Sequence, residues 1–146
     1  MNKKTRPGVI ANRRARYDYE LGDSFMVGLV LSGAETKALR LGNGHLRGAY
    51  ATVKNSELWL VNATIMGAPG LAMSESEQTQ SRKILARRRE IDTMIAAKQQ
   101  GMTLVPTDLL TRGRYIKLRL SIGKGKKQYD KRQLIKKRDL QRSGEL

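Results

Sequence analysis

The sequence predicts a mainly β protein in which a small antiparallel barrel carries peripheral helices and a basic tail. Three observations predict this class. Roughly six short segments with strand character are separated by turn residues. One of them, late in the chain, alternates regularly between apolar and polar residues. The segment 123–146 combines nine Lys or Arg with few large apolar groups, and we expect it to be disordered in the free protein.

The first half of the chain contains several extended segments and one short helix. The run SFMVGLVL at 24–31 predicts a strand that is nearly apolar on both faces. A short helix is expected over 34–40, between Gly33 and Gly42. Further extended segments are predicted at 46–54, 57–61 and 63–66, with a turn at 54–56 that pairs the first two.

A loop followed by a long helix is predicted for the middle of the chain. Residues 67–81 are rich in Gly, Ser, Glu and Gln and predict a mobile loop. Ser81 is a suitable N-cap for a helix that runs to Gln100 and ends at Gly101. Three consecutive arginines at 87–89 sweep about 200° of such a helix, so part of that cluster must face solvent. Four apolar residues lie on one side of this helix at helical spacing and are interpreted as core: Ile84, Ile91, Met94 and Ile95.

The last two strands are the clearest. A strand over 102–110 is followed by a tight turn at 111–114, where Gly113 is available for a positive φ. Pro106 is expected at an edge or a bulge. The alternating strand then places Ile116, Leu118, Leu120 and Ile122 on one dry face. Together these segments predict a closed or nearly closed barrel of OB-like size.

The distribution of charge predicts the kind of partner. The formal net charge is +16, and residues 1–16 contain six Lys or Arg without any acid. With the tail, the two ends carry most of the excess charge, whereas 17–122 is closer to balance. We therefore divide the chain into a basic arm (1–16), a barrel body (17–122) and a basic tail (123–146). Clustered cations release counterions when they meet phosphates, which favours a nucleic acid over an anionic membrane surface, because neither end has a strong apolar face.

Several classes of chemistry lack their usual residues. The chain has no cysteine and only one histidine, so neither a disulfide nor ordinary metal-ligand spacing is present in the sequence. His45 is interpreted as an exposed turn residue. We expect a non-enzymatic, cytoplasmic protein without a cofactor. Aromatic residues are few, which favours a folded RNA gripped by shape and charge over an extended single strand.

Six blocks of the sequence carry a resemblance to a known family. They are 12–16 (NRRAR), 33–40 (GAETKALR), 82–85 (RKIL), 89–91 (REI), 101–106 (GMTLVP) and 123–132 (GKGKKQYDKR). In order and spacing these blocks resemble the SsrA-binding protein family (small protein B), over residues 10–142. The last block is the most specific of the six.

The resemblance implies a concrete function. Members of this family are OB-like barrels that bind the tRNA-like domain of transfer-messenger RNA. With elongation factor Tu and GTP they deliver that RNA to stalled ribosomes for trans-translation. The tail is implied to enter the decoding site and the mRNA channel and to become helical there. We expect a monomer that does not associate with membranes.

The resemblance also implies two sets of functional residues. The first set would contact the RNA: Asn12, Arg13, Arg14, Arg16, Glu35, Lys37, Arg40, Lys83, Leu85 and Arg87. The second set would act in the ribosome: Lys124, Lys126, Lys127, Tyr129, Asp130, Lys131 and Arg132.

Charge and fold alone leave other functions open. A ribosomal or ribosome-assembly OB-type RNA-binding protein would share both features, and a general RNA chaperone would bind many RNAs equally well. The sequence also departs from the family pattern, since Met26 stands where a strand glutamate is usual and Gly48-Ala49 replaces a common Asp-Ser. Met26 removes one expected polar contact with RNA.

Overall fold

The computed structural model describes residues 8–126, which form nine strands and four helices in that range. In chain order the elements are β1 (Val9–Ala11), α1 (Ala15–Asp18), β2 (Tyr19–Leu29), α2 (Gly33–Arg40), β3 (Gly44–His45), β4 (Tyr50–Lys54), β5 (Glu57–Val61), β6 (Thr64–Ile65), α3 (Glu75–Gln78), β7 (Arg82–Leu85), α4 (Arg88–Gln99), β8 (Thr103–Leu110) and β9 (Lys117–Gly125). None of the described helices is long and apolar enough to cross a membrane.

Six antiparallel strands close into a barrel. The main sheet runs in the order β1-β8-β4-β5-β7-β2-β9, and β9 also pairs with β8. The ring therefore passes through β8, β4, β5, β7, β2 and β9 and returns to β8, with β1 attached to β8 outside it. A separate small sheet pairs β3 with β6. The predicted mainly β class, with a small antiparallel barrel, is confirmed.

The barrel interior is filled by the inward-facing residues of its strands. In β9, Leu118 and Leu120 are fully buried, as the alternation predicts. Met94 and Ile91 of α4 cover the core from outside the ring. Pro106 lies where the register of β8 against β9 shifts, which confirms the predicted bulge. The hydrophobic core therefore fixes the strands of the barrel, whose outward-facing residues carry the charged surface.

The predicted helix from Ser81 to Gln100 is wrong in its first third. Residues Arg82–Leu85 form β7, and the helix α4 begins only at Arg88, after the N-cap Arg87. Ile84 is buried, as predicted, but on a strand. A spacing of seven residues between Ile84 and Ile91 fits one helix face, and the inward position of a short strand fits Ile84 equally well. Helical periodicity alone could not separate the two.

Two turn predictions had different outcomes. At the β4–β5 hairpin, Asn55 and Ser56 both adopt positive φ, as a tight two-residue turn requires, and the pairing of these strands is confirmed. Gly113 does not adopt a positive φ, so that part of the prediction is wrong. The segment between β8 and β9 is instead a wider loop, held by contacts with Arg40.

The boundary between body and tail lies later than predicted. Strand β9 continues to Gly125, and Gly123 and Lys124 pair with β2. The expectation that the tail is disordered from Gly123 onward is therefore wrong for residues 123–125. Residues 127–146 lie outside the described part of the chain. At the other end, the predicted basic arm contributes β1 and the start of α1 to the body.

Candidate nucleic-acid interface

Most of the predicted RNA-contacting residues lie in two surface regions. Asn12, Arg13, Arg14 and Arg40 line a cleft beside β1, whereas Lys83, Leu85 and Arg87 lie at β7 and the start of α4. The other three residues, Arg16, Glu35 and Lys37, lie in neither region.

We call the first region the arginine cleft. Its volume is about 680 Å³, and it lies between β1, the C-terminal end of α2, β3 and the start of the β8–β9 loop. The lining residues are Gly8, Val9, Ile10, Ala11, Asn12, Arg13, Arg14, Arg40, Leu41, Gly42, Gly44, His45, Leu46, Arg47, Thr111 and Arg112. Five of them are arginines and none is acidic, so the cleft is a strongly positive concave surface.

Three guanidinium groups of the arginine cleft are available to a ligand. Arg13, Arg47 and Arg112 are exposed, and within residues 8–126 their side chains have no ion pair or hydrogen bond. Arg14 is less free, because its Nη2 lies 3.2 Å from Asp18 Oδ1 and its guanidinium stacks 4.5 Å from the centre of the Tyr17 ring. Unpaired arginines in a concave surface provide the bidentate donors that phosphates bind.

Arg40 organises the cleft instead of offering a free charge. Its Nη1 donates to the carbonyls of Thr111, Arg112 and Gly113, and its Nη2 donates to the carbonyl of Arg114, at 2.9–3.2 Å. The end of α2 therefore fixes the β8–β9 loop and the position of Arg112. Because its donors are engaged in this way, Arg40 supports the position of Arg112, and its own contact with RNA stays a prediction.

The N-terminal segment is fixed to the barrel from two sides. The side-chain amide of Asn12 donates to the Pro106 carbonyl at 2.9 Å, and the Thr111 N–H donates to the Gly8 carbonyl at 2.8 Å. Gly8 has φ +79°, and a Cβ there would lie 2.4 Å from Cγ of Arg112. Only glycine leaves room for the stem of Arg112 at this point.

The predicted contact of Glu35 with RNA is wrong, because the side chain is only 3% exposed. Glu35 Oε1 accepts the Ser32 N–H and so caps α2, while Oε2 accepts Arg82 Nε at 2.7 Å and Gln80 Nε2 at 3.2 Å. Burial acts to raise the pKa of Glu35, but the hydrogen bonds from Ser32, Arg82 and Gln80 and the charge of Arg82 outweigh it, and the pKa is held below its usual 4.5. Glu35 is a structural carboxylate.

Two remaining cations of the first set are exposed. Lys37 lies in the last turn of α2, and Arg16 lies in α1. The carbonyl of Arg16 accepts a hydrogen bond from Nζ of Lys126 at 2.8 Å, and the N–H of Lys126 donates to the Asp18 carbonyl at 3.0 Å. The start of the tail is thus held against α1.

The second region is the outer face of the barrel, which we define by Met26, Trp59, Lys83, Leu85, Lys117 and Arg119. Register places Leu85 and Lys117 on either side of Gly28, and Met26 opposite Arg119. Leu85 is 50% exposed and Met26 39% exposed. The outer face therefore combines cations with bare apolar side chains, where nucleotides can stack and phosphates can pair.

The three arginines at 87–89, which follow the outer face, are all exposed, whereas their consecutive positions predicted exposure for only part of the cluster. Arg87 is the N-cap of α4, and its N–H donates to Glu90 Oε1 at 3.3 Å. Arg88 is engaged by Asp92, Glu57 and the Ser56 carbonyl. Arg87 and Arg89 keep free guanidinium groups within the described residues.

Only the first residues of the ribosome-directed set can be placed. Lys124 is exposed at the end of β9, and Lys126 is tied to α1 as described above. Lys127, Tyr129, Asp130, Lys131 and Arg132 lie outside the described residues.

Sequence reasoning missed part of the arginine cleft. Arg47 and Arg112 stand in separate turns and reach one surface because β1 pairs with β8 and Arg40, at the end of α2, holds the β8–β9 loop. The expectation that His45 is an exposed turn residue is wrong, since it forms β3, lines the cleft and is half-buried. Its Nδ1 is buried and has no hydrogen-bond partner in the described part of the chain. The Gly-rich sequence around it gave no sign of this.

The fold and these two surfaces define a small basic β-barrel protein of the nucleic-acid-binding class. Within residues 8–126 no three acidic or histidine side chains come together in a way that could hold a metal ion.

Comparison with known sequences places the chain in a family. The SmpB protein family matches residues 9–145, and the chain belongs to that family. It is 43% identical over 136 residues to the SsrA-binding protein of Sphingomonas elodea, covering 92% of this chain and 85% of that protein. It is 38% identical over 141 residues to the SsrA-binding protein of Gloeobacter violaceus, covering 96% and 93% of the two chains.

A solved structure supports the same placement. The chain is similar to one in a solved structure described as the journey of tmRNA–SmpB to the center of the bacterial ribosome. The TM-score is 0.68, the identity is 33%, and the match covers 83% of this chain and 86% of that chain.

Proposed function

We propose that this protein binds transfer-messenger RNA at its tRNA-like domain and brings it to stalled ribosomes for trans-translation. It acts as a non-catalytic adaptor in the cytoplasm. The observation that carries the proposal is the arginine cleft, which within residues 8–126 has no acidic lining residue and three unpaired guanidinium groups, on a chain of the SmpB family. Such a surface is suited to a folded polyanion.

The finer assignment divides the work between body and tail. Asn12, Arg13 and Arg14 in the arginine cleft would hold the tRNA-like domain together with Lys83 and Leu85 of the outer face. Arg87 beside that face and the exposed Arg16 and Lys37 would add further contacts. The tail residues Lys124, Lys126, Lys127, Tyr129, Asp130, Lys131 and Arg132 would act in the decoding site and the mRNA channel. Elongation factor Tu with GTP would join through the shared RNA, and the protein would bind as a monomer. No observation favours the alternative of a ribosomal or ribosome-assembly protein.

Competition binding tests the proposal. The full chain is bound to labelled tRNA-like domain of transfer-messenger RNA at physiological salt and is challenged with bulk tRNA and with rRNA fragments. We expect the tRNA-like domain to compete at least tenfold better than either. Equal competition by all three RNAs would identify a general RNA chaperone instead.

A further inference from the structure

The arginine cleft is larger than phosphate contacts alone require. Cations on an open surface are sufficient to bind an RNA backbone. The cleft has instead a volume of about 680 Å³. That value lies in the range of about 300–1,000 Å³ that is usual for small-ligand sites. A base with its sugar and phosphate fits a concave site of this kind.

The walls of the cleft have two kinds of chemistry. The half-buried Val9 and Ile10 contribute apolar lining, together with Leu41, which is 56% exposed. The unpaired guanidinium groups of Arg13, Arg47 and Arg112 lie on the same cleft. Apolar surface beside unpaired arginines matches the flat base and the charged phosphates of one nucleotide.

We infer that the arginine cleft receives one nucleotide extruded from the bound RNA, with its base against the apolar lining near Leu41 and its flanking phosphates at the unpaired arginines. This inference rests on the proposed function. An unpaired loop nucleotide is the least costly to extrude, because it has no base pair to lose. The cleft thereby recognises two features of an RNA: the charge of its phosphates and the presence of a loop nucleotide that can leave its stack.

Titration with a mononucleotide tests the site directly. Amide chemical shifts of the full chain are followed by NMR with 5′-AMP, adenosine or inorganic phosphate, each up to about 10 mM, which is enough to reveal a millimolar dissociation constant. We expect 5′-AMP to shift the amides of residues 8–12 and 41–47 in a saturable way, and more strongly than phosphate does. Identical effects of 5′-AMP and phosphate, or no saturable shift at the cleft, would overturn the inference.

Matched variants separate the base from the phosphate. Leu41→Ser should weaken 5′-AMP binding by about fivefold without changing phosphate binding, because it removes apolar contact only. Leu71→Ser is the control, since Leu71 is also an exposed leucine (39%) but does not line the cleft. Arg112→Ala should weaken both ligands, whereas Arg114→Ala, in the same loop but outside the cleft, should weaken neither. Equal effects within either pair would contradict the assignment.

The last measurement uses the RNA itself. Unpaired positions of the tRNA-like domain are replaced one at a time by 2-aminopurine, whose fluorescence rises when its base leaves the stack. One position should brighten on binding the wild-type chain and brighten less with Leu41→Ser. If no position responds while the RNA still binds tightly and selectively, the extruded nucleotide is refuted and the proposed function stands. Loss of selective RNA binding by the wild type would refute the proposed function instead.

Discussion

Nε of Arg82 lies 2.7 Å from Oε2 of Glu35, and the two side chains are only 2% and 3% exposed. The same guanidinium donates to the carbonyls of Ala63, Glu77 and Gln78 at 2.8–3.0 Å. One buried arginine on β7 therefore joins the N-terminus of α2, the residue before β6 and the end of α3. A buried charge with so many fixed partners is costly to leave unpaired.

Replacing Arg82 with leucine should destabilise the protein by about 3–5 kcal/mol, because the Glu35 carboxylate would stay buried without its partner. Urea denaturation at neutral pH measures the change. The control is Arg119→Leu. Arg119 pairs with Asp108, but the Arg119 side chain is 42% exposed. That change should cost less than about 1 kcal/mol. Equal losses in the two variants would show that the buried ion pair contributes no more to the free energy of unfolding than the exposed pair does.

The lowered pKa of Glu35 predicts an acid-sensitive contribution to stability. Its pKa is below 4.5 in the folded protein and near 4.5 in the unfolded chain, so the unfolded state binds the proton more readily. The contribution is therefore complete above the unfolded pKa and is lost as the pH falls through the folded pKa. The free energy of unfolding of wild type and Glu35→Gln should differ most near neutral pH and converge as the pH falls through the lowered pKa of Glu35. A difference that stays constant with pH would contradict this account.

Arg40 should be needed for the shape of the β8–β9 loop and not only for its charge. Arg40→Lys keeps the charge but cannot donate to four consecutive carbonyls from a planar fork. We expect faster hydrogen exchange in residues 111–115 and a roughly tenfold loss of affinity for the tRNA-like domain, since Arg112 loses its fixed position. Lys37→Ala, one turn away on α2, should weaken RNA binding without changing exchange in the loop. Unchanged exchange in Arg40→Lys would show that the fork does not support the loop.

The sequence was informative where one periodicity applied and ambiguous where two did. Regular alternation from Ile116 to Ile122 predicted most of β9 and its dry face, and Pro106 marked the bulge in β8. Ile84 satisfied a helix and a strand at once, so β7 was missed. Charge counting found the arm but could not show that Arg47 and Arg112, 65 residues apart, share one cleft. Nor could it show that Glu35 is buried, because the partner Arg82 lies on a distant strand.

Salt dependence should distinguish free arginines from paired ones. If about 6–8 phosphates are contacted, log K for the tRNA-like domain should fall with log salt at a slope of roughly −5 to −7. Arg13→Ala should flatten that slope by about one unit, because its guanidinium has no protein partner in the described residues. Arg14→Ala should change the slope less, since Asp18 already pairs with Arg14. A slope near zero would contradict a phosphate-based interface. The same change for both variants would contradict the difference between the free Arg13 and the paired Arg14.

The end of β9 sets where the tail can be removed without harm to the body. Truncation after Lys126 keeps the pairing of Gly123 and Lys124 with β2 and the contacts of Lys126 with α1. We expect this variant to bind the tRNA-like domain within about threefold of the full chain while failing to support tagging of stalled polypeptides.

Truncation after Ile122 also removes paired residues of β9, and at Gly123 it would open space beside Val105 and Leu21. It should therefore lower the free energy of unfolding by about 1–3 kcal/mol. We would measure RNA affinity, tagging and thermal unfolding for both variants. Together these measurements separate the loss of tail function from the loss of barrel stability. If truncation after Lys126 abolishes RNA binding as completely as it abolishes tagging, body and tail do not divide the work.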